Sequence, residues 1–415
     1  MIMMTKLDHY LAFAGNNIFR NKLFSFFCII VSALTSIFIY AILQMTSIIN
    51  NDTPPFSNSD RTISFCDEFY DTQGRYLDGI PAPYLETFLR GLRNYESCAI
   101  SNTEFTSVFI GDKMFPSSVA FVNSDYFILN DFEFIDGRAF TKEETWDVEK
   151  MAVITEKIAR KYFGNVSALG KELEIQGNHY KVIGVVKDYS VFSTVKEIAS
   201  IWLPYSVNKF MPSGMTVYTI DILFPKNVPK EEFKQDMLFA LKTFYKNRGM
   251  ELDLSIDELT TLKEQRLARY GNNGLFVGVS LIVSLLLLIP AINIITLSES
   301  GIQNRISELA VRRACGATKA TILYMIMTES LILVGIGFTA GIAMAHPIIN
   351  LAESLFFRSS ADGTGATLLS GPIPIINVLV LICSGIIFSL ISGGIPAYMA
   401  AKKNISLMLK GGNND

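Results

Sequence analysis

Four stretches of the chain carry no charged residue and are rich in apolar ones. They cover residues 23–51, 271–298, 330–352 and 363–401. Each is longer than the ~20 residues that a helix needs to cross the ~30 Å hydrocarbon layer of a membrane, where a helix satisfies its own backbone hydrogen bonds. The pattern therefore predicts four transmembrane helices. We place them at residues 23–49, 271–297, 322–349 and 373–399.

The first apolar stretch differs from a signal peptide. It is longer than the signal-peptide core of about 7 to 15 residues, and the sequence TSIINNDT at residues 46–53 offers no small-residue cleavage site. We therefore expect this helix to remain as an anchor. Before it, apolar residues recur at helical spacing with polar residues such as Asn16 and Asn17 between them. This predicts an amphipathic elbow at residues 1–22, which lies on the membrane surface.

Strand and helix patterns alternate in the long segment between the first two apolar stretches. Short apolar or alternating runs, which are typical of strands, occur at residues 62–65, 99–110, 215–224 and 251–256. Apolar residues at helical spacing, which predict helices, occur at residues 81–93 and 228–248. We therefore expect residues 50–270 to form a mixed α/β domain with two lobes.

Two shorter patterns in this segment predict local structure. The run LEIQGNHYKVIGVV at residues 173–186 predicts a β-hairpin, with Gly177 and Asn178 as its tight turn. The S-x-x-E pattern at residues 255–258 is a capping box, which predicts a charged helix running toward Gly271. Such a helix would act as a stalk that transmits motion between this domain and the membrane. The alternative is a plain juxtamembrane linker.

Composition supports a membrane protein. The chain has 415 residues, of which 50% are hydrophobic and 18% charged, and its mean hydropathy is +0.32. Ordinary soluble domains carry about 25% charged residues. With 36 basic and 39 acidic residues, the net charge of −3 also lacks the basic footprint of a protein that binds nucleic acid.

Lys and Arg are unevenly distributed over the short segments that flank the apolar stretches. Residues 1–22 carry three, residues 298–321 four and residues 400–415 three, whereas residues 350–372 carry only Arg358. Short loops rich in Lys and Arg stay in the cytoplasm. We therefore expect both termini in the cytoplasm. The α/β segment and the short loop around Arg358 then lie outside.

The sequence carries no motif for ATP binding or hydrolysis. The nearest phosphate-loop candidate, GNVSALGKE at residues 164–172, has its glycines six residues apart instead of five. Its Lys171 is followed by Glu, where Ser or Thr must reach Mg²⁺. Neither HExxH nor GxSxG occurs, and no CxxC or Cys/His cluster suggests a metal site. We therefore expect no catalytic residue, cofactor site or metal site in this chain.

Three further features have two readings each. Cys66 and Cys98 either form one disulfide in an oxidising compartment or remain unpaired buried thiols. Gly337 and Gly341, at four-residue spacing, either permit close helix contact or are simply tolerated in a membrane helix. Glu329 lies near the third span, where a charge is costly and often functional. Its expected place in the first turn of that helix favours the membrane interface instead.

The loop between the second and third spans carries the most specific charge pattern. Arg305 and Glu308 are three residues apart, which brings opposite charges together on one helical face. A basic pair follows at Arg312 and Arg313, and Gly316 is a natural helix stop. The pattern predicts a short charged helix held between two spans, suited to docking into a groove of a soluble partner.

The sequence NRISELAVRRACGATKATILYMIMTESLILVGIGFTAGIAMA, residues 304–345, resembles the hallmark of the FtsX-like permease domain of ABC transporters. That hallmark has an Arg, a Glu three residues on, a basic residue followed by A-x-G-A, and later a Glu that opens a Gly-rich apolar helix. The matching positions are Arg305, Glu308, Arg312 or Arg313, Gly316, Ala317 and Glu329. The tail departs from the family at Ile405 and Ser406, where a Pro is common.

The α/β segment is similar to the periplasmic core domain of MacB-type members of this family. The similar blocks are VNSDYF (122–127), DGRAFTKEE (136–144), MAVIT (151–155), YFGNVSALGKELEIQG (162–177), YKVIGVVKD (180–188) and WLPYS (202–206). The resemblance implies an α-helical membrane protein of the bacterial inner membrane. Its large mixed α/β, two-lobed periplasmic domain is inserted between the first two of four transmembrane helices.

The resemblance also implies partners. A separate cytoplasmic ATPase, which binds ATP and Mg²⁺, would dock on the loop at residues 298–321, and a second permease chain, identical or paralogous, would complete the membrane part. The implied ATPase-coupling residues are Arg305, Glu308, Arg312, Arg313, Gly316, Ala317 and Lys319. Membrane lipid, a periplasmic adaptor and an outer-membrane channel are further candidate partners, and nucleic acid is not.

The function that this implies is transport by mechanotransmission. ATP-driven motion of the partner would move the periplasmic domain and drive efflux or export of a peptide, an antibiotic or a similar substrate. The alternatives are a permease that releases lipoproteins and an FtsX-like transmembrane activator of a cell-wall hydrolase.

Overall fold

The computed structural model describes most of the chain. The described residues are 14–66, 69–77, 80, 82–146, 149–164, 166–194, 196, 199–210, 219–270, 281, 288, 292, 295, 306–356, 367, 369 and 374–402. The chain divides into two compact units. One, here called the helical unit, comprises Met1–Gln44, Asn273–Leu351 and Ile373–Asp415, and the other, here called the α/β unit, comprises Met45–Asn272 and Ala352–Pro372.

Helices and strands are numbered separately along the chain. The helices are α1 (Lys22–Asn50), α2 (Ala82–Gly91), α3 (Asp125–Leu129), α4 (Lys142–Trp146), α5 (Glu156–Phe163), α6 (Lys230–Lys246), α7 (Leu262–Tyr270), α8 (Ile306–Ala314), α9 (Lys319–Phe356) and α10 (Ile375–Lys402). The strands are β1 (Thr62–Cys66), β2 (Phe69–Tyr70), β3 (Tyr76–Leu77), β4 (Ser97–Ile110), β5 (Lys113–Val122), β6 (Phe134–Gly137), β7 (Met151–Thr155), β8 (Glu172–Ile175), β9 (Asn178–Val186), β10 (Ile201–Pro204) and β11 (Thr219–Leu223). Residues 14–20 are also helical.

Three of the described helices, α1, α9 and α10, are long and apolar enough to cross a membrane. They coincide with the first, third and fourth predicted spans. The second predicted span, residues 271–297, lies almost wholly outside the described residues. Buried residues of all three helices share one apolar core, which includes Ile37, Phe338 and Leu381.

Close packing of α1 against α9 depends on two glycines. A Cβ atom placed on Gly337 would lie 2.8 Å from the carbonyl oxygen of Ile29, and one on Gly341 would collide with the Ser36 hydroxyl and the Ala33 carbonyl. Small residues let helix backbones approach closely in a membrane, where dispersion contacts replace the hydrophobic effect as the driving force. The close-contact interpretation of this glycine pair is therefore confirmed.

One nine-stranded sheet runs through the α/β unit. The strand order is β1-β11-β4-β5-β10-β7-β9-β6, and β8 pairs with both β4 and β9. The long strand β4 pairs with β11 through its first residues and with β5 and β8 further on. The mixed α/β fold is therefore as predicted, and the two predicted lobes share a single sheet.

Separate apolar cores lie along this sheet. Helices α2 and α6 pack at one end, where Phe88 and Phe233 share a core with Ile222 of β11. Helix α5 packs at the other end, where Ile158 shares a core with strands β5, β7, β9 and β10. A third core, around the fully buried Trp202, contains the aromatic side chains that follow β5. The sheet is thus covered by different helices at its two ends.

Three local predictions in this unit need correction. Residues 251–256 do not form a strand, since only Leu252 pairs there, in an isolated bridge with Asp71. The β8–β9 hairpin exists, but its turn residues are Gln176 and Gly177, with φ of 52° and 76°. Positive φ at both positions is the requirement of a type I′ turn, which matches the twist of the two strands.

The predicted stalk begins later than its capping box suggested. The capping box of Ser255 and Glu258 exists, but it caps a single 3₁₀ turn at Ile256–Glu258. Helix α7 has its own reciprocal cap. The Thr261 amide donates to Glu264 Oε2 (2.8 Å), and the Glu264 amide donates to Thr261 Oγ1 (3.2 Å). This T-x-x-E pattern was the better signal for the start of the helix.

The strand order excludes a disulfide between Cys66 and Cys98. Cys66 on β1 is paired with Thr219, and Cys98 on β4 is paired with Ile222, so β11 lies between the two cysteines. Two strand spacings amount to about 10 Å, whereas bridged cysteines have Cα atoms about 4.4–6.8 Å apart. Cys98 is accordingly a free, buried thiol.

Candidate functional site

Helix α8, which carries three of the seven predicted coupling residues, is held in the helical unit by a small apolar core. Leu309 and Ala310 are buried on one face of α8. They share this core with Ile322 and Ile326 of α9 and with Ala397 of α10. The helix is therefore anchored to α9 and α10 along one stripe.

The end of α8 is fixed by its glycine. Gly316 has φ of 98°, a conformation that favours glycine. Its amide donates to the Arg313 carbonyl (3.1 Å), and the Ala317 amide donates to the Arg312 carbonyl (3.0 Å). These bonds satisfy carbonyl groups that a helix end leaves without partners. The predicted helix stop at Gly316 is therefore where the structure ends the helix.

The carboxylate of Glu308 connects α8 to the helical segment at residues 14–20. Arg20 Nη2 donates to Glu308 Oε2 at 2.8 Å, and Arg312 Nη2 donates to Glu308 Oε1 at 3.1 Å. The hydrogen bond from Arg20 is the main reason that the pKa of Glu308 is held below its usual value, and Arg312 contributes in the same direction. One carboxylate thus accepts from two guanidinium groups, one on its own helix and one far away in the sequence.

The predicted coupling residues have different environments. Glu308 and Arg312 come together through this network, and Ala317 packs against the apolar core of α8. Arg313 is half-buried, whereas Gly316 and Lys319 are exposed. Arg305 lies outside the described residues. Arg20 was missing from the predicted set because the sequence presented it only as one of the basic residues that set membrane orientation.

An exposed apolar strip also belongs to α8 and the turn after it. Val311 is 54% exposed, although apolar residues on the other side of the same helix are fully buried. Ala314 and Cys315 follow and are exposed as well. Sequence reasoning missed this strip because the charged residues dominate the pattern. The signal was the spacing of Val311 and Cys315, which puts both on one helical face.

Glu329 occupies a different place from the one that the sequence suggested. It is 4% exposed and lies three turns into α9, not in the first turn. Asn17 Nδ2 points to Glu329 Oε2 at 3.4 Å, and Asn17 itself is buried. The expectations that Glu329 lies in the first turn of its helix and that Asn17 lies on a polar face are therefore wrong, while the interfacial position of Glu329 stays a prediction. A buried carboxylate needs such polar partners, because burial without them is costly.

Two curated relatives are similar to this chain over about two thirds of its length or more. The uncharacterized ABC transporter permease YknZ of Bacillus subtilis is 22% identical over 325 residues, which cover 76% of this chain and 75% of YknZ. The macrolide export ATP-binding/permease protein MacB of Aggregatibacter actinomycetemcomitans is 22% identical over 281 residues, which cover 67% of this chain. The matched part is 42% of that MacB protein, so the chain spans under half of its length.

A solved structure and two family models also match parts of this chain. The periplasmic region of MacB from Actinobacillus actinomycetemcomitans covers 48% of this chain and 90% of its own, at 18% identity and a TM-score of 0.39. The model of the MacB-like periplasmic core domain matches residues 25–238, more than half of the chain. The model of the FtsX-like permease C-terminal domain matches residues 280–405, which include α8, α9 and α10. The chain therefore belongs to the family of ABC transporter permeases that combine a MacB-like periplasmic core domain with an FtsX-like permease domain.

Proposed function

We propose that this permease works by mechanotransmission with a separate cytoplasmic ATPase. The ATPase binds ATP and Mg²⁺ and docks on α8, and a second permease chain completes the membrane part. Motion of the ATPase displaces α8, and the displacement passes through the membrane helices to the α/β unit on the other side. That motion drives export of a peptide, an antibiotic or a similar substrate.

The way in which α8 is held carries this proposal. Its Leu309 and Ala310 lie in the apolar core, while Glu308 is bonded to Arg20. A force on α8 would therefore reach both α9 and the helical segment that leads into α1. The exposed strip at Val311 and Cys315 supplies the contact surface on the opposite side. A groove on the partner ATPase would cover this strip. Apolar surface that is buried at an interface stabilises the contact.

The placement of the segments follows from the same proposal. Residues 1–22, 298–321 and 400–415 lie in the cytoplasm of a bacterial cell, while residues 50–270 and 350–372 lie in the periplasm. The MacB relative is named as a macrolide export protein, and this supports an export substrate here. A periplasmic adaptor and an outer-membrane channel would continue the path where the cell has an outer membrane.

A matched pair of substitutions tests the docking surface. Val311 on α8 and Val166 in the α/β unit are both exposed, at 54% and 66%. A carboxylate that an interface desolvates without a partner costs on the order of 2–5 kcal/mol. We expect Val311→Glu to lower co-purification of the ATPase, and the ATP hydrolysis that accompanies it, by at least about tenfold. Val166→Glu should leave both unchanged. Equal effects of the two variants, or ATP hydrolysis by the permease alone, would contradict the proposal.

A further inference from the structure

The stalk helix α7 contains a fully buried arginine. The Arg266 side chain is 1% exposed, and a buried guanidinium must be hydrogen-bonded to be tolerated. Its guanidinium donates to oxygen atoms of the α/β unit. They are Ile49 O (2.8 Å), Asn51 O (3.3 Å), Asp52 Oδ1 (3.0 Å), Ser59 Oγ (3.2 Å) and Ser193 O (3.1 Å).

These contacts join α7 to the end of α1. Ile49 lies in the last turn of α1, where carbonyl groups lack helical partners and the helix dipole favours a positive charge. The carboxylate of Asp52, just beyond the helix, balances the charge of Arg266. The guanidinium therefore closes the end of α1 and holds it against α7.

The same helix also holds a short loop, residues 188–194, here called the junction loop. Arg266 donates to Ser193 O within it. One helical turn later, the Tyr270 hydroxyl lies 3.4 Å from Val191 O and 3.3 Å from Thr194 O. Side chains at i and i+4 share one helical face, so the hydrogen bonds to the loop come from a single face of α7.

The segment that follows α9 reaches the junction loop as well. The Thr367 amide donates to Tyr189 O (3.0 Å), and the Val191 amide donates to Thr367 O (2.9 Å). Near the end of α9, Glu353 pairs with Lys157 at 3.1 Å. The backbone amide of Lys157 donates in turn to Asp188 Oδ1 at 3.0 Å. Thr367 is thus bonded to the loop directly, and the end of α9 is linked to it through Lys157.

The junction loop is also anchored to the nine-stranded sheet, through residues at its start and just after its end. Lys196, shortly after it, forms an ion pair with Asp221, a fully buried residue of β11. The Tyr189 hydroxyl donates to Ala199 O (2.8 Å), and its ring packs near that of Trp202. A displacement of the loop would therefore reach the middle of the nine-stranded sheet.

We propose that the junction loop is the place where motion enters the α/β unit, with Arg266 as the positioning residue that makes α1, α7 and the segment after α9 act on it together. One attachment alone would let the domain pivot. Here α7 and Thr367 are bonded to the loop directly, and the end of α1 is linked to it through Arg266, so the three together transmit both translation and rotation. The role in motion rests on the proposed mechanotransmission. The cooperative attachment itself does not.

Hydrogen exchange of the full chain in lipid nanodiscs tests the attachment. Contacts that open as one unit exchange together. Arg266→Lys keeps the charge but removes the guanidinium fork. We expect Arg266→Lys to speed hydrogen exchange of the Val191 and Thr367 amides at least tenfold, and by similar factors at the two positions. Neither of these bonded amides touches Arg266. Arg138→Lys is the matched control, because it breaks a two-bond fork to Glu144 elsewhere in the same unit. It should leave both amides unchanged.

A second variant approaches the loop from the other side. Thr367→Pro removes the amide that donates to Tyr189 O, and it should speed exchange of the Asn51 amide, which donates to Ser47 O at the end of α1. Effects confined to the residues next to each substitution would overturn the proposal. In the ATPase complex, Arg266→Lys should retain ATP hydrolysis and lose the nucleotide-dependent change in exchange of β4 and β5. If the unsubstituted complex shows no such change, the proposed function fails, and the two exchange comparisons still decide whether the attachments act together.

Discussion

Arg20 and Glu308 form an ion pair of 2.8 Å although 288 residues separate them in the chain. The pair joins the helical segment before α1 to helix α8. Arg312 completes the network from within α8. Glu308, which the sequence marked as a candidate docking charge, thus also links α8 to the segment at residues 14–20.

Substitution of Glu308 should therefore weaken ATPase association through the position of α8. Glu308→Lys places a third cation beside Arg20 and Arg312, so attraction becomes repulsion. An exposed ion pair contributes only about 0–1 kcal/mol, and the reversal of its sign adds to the loss, so we expect co-purification of the ATPase to fall about tenfold. Membrane insertion and folding of the α/β unit should be unchanged.

A charge exchange separates this effect from a change in total charge. Arg20→Glu combined with Glu308→Lys restores opposite charges across the two helices and should recover most of the association. Asp8→Lys, which makes the same change of charge in the N-terminal arm, should have little effect. If Glu308→Lys retains full association, the carboxylate does not position α8.

The α1–α9 contact should be sensitive to a single methyl group. A Cβ at Gly341 would collide with Ser36 Oγ and Ala33 O, whereas one at Gly335 on the same helix meets nothing within 4 Å. Overpacking of a tight contact costs about 1–3 kcal/mol. We expect Gly341→Ala to lower the unfolding free energy of the detergent-solubilised protein by about that amount. Gly335→Ala is the control and should be neutral, and equal behaviour of the two variants would rule out the close contact.

The carboxyl group of Asp188, the first residue of the junction loop, should make stability depend on pH. Burial raises its pKa to about 6, and Glu156 acts in the same direction, while the Lys157 amide and the charges of Lys157 and Arg160 oppose the increase. The folded protein therefore binds this proton more tightly than the unfolded chain, whose Asp pKa is about 3.9. The stability that this proton contributes is complete below the pKa of Asp in the unfolded chain, and it is lost as pH rises through the folded-state pKa of about 6.

Removal of the titrating group should flatten this dependence. Asp188→Asn keeps an oxygen that can accept from the Lys157 amide but carries no charge. We expect its thermal midpoint to change less between pH 4 and 7, and its stability near pH 7.5 to exceed that of the unsubstituted protein by on the order of 1 kcal/mol. Asp112→Asn, in the exposed β4–β5 turn, should not change the profile. An unchanged profile for Asp188→Asn would show that this carboxyl is not the source.

Local patterns predicted much of the fold because they depend on neighbouring residues. Apolar stretches identified α1, α9 and α10, and helical spacing identified α2 and α6 to within a few residues. The strand at residues 251–256 failed because alternation alone provides no pairing partner, and pairing is a property of the whole sheet. The strand order, which decided the cysteine question, likewise has no local signature.

Contacts between distant residues explain what the sequence did not show at the site. Arg20, Asn17 and Arg266 each read as polar surface residues, and each is defined by a partner more than 200 positions away. The exposed strip of α8 was also hidden, since only the burial of Leu309 and Ala310 shows which face remains open. The resemblance to a family pointed to α8 as the proposed coupling helix but not to the residues that hold it.

Crosslinking from the native cysteines tests the central claim, that a separate ATPase docks on α8, most directly. Cys315 is exposed in the turn after α8, and Cys383 is exposed on α10. A photoreactive maleimide attached to Cys315 in native membranes should give an adduct with an ATP-hydrolysing protein. The same label on Cys383, in the Cys315→Ser variant, should give none. Adducts of equal yield from both cysteines, or no ATPase adduct from Cys315, would contradict docking on α8.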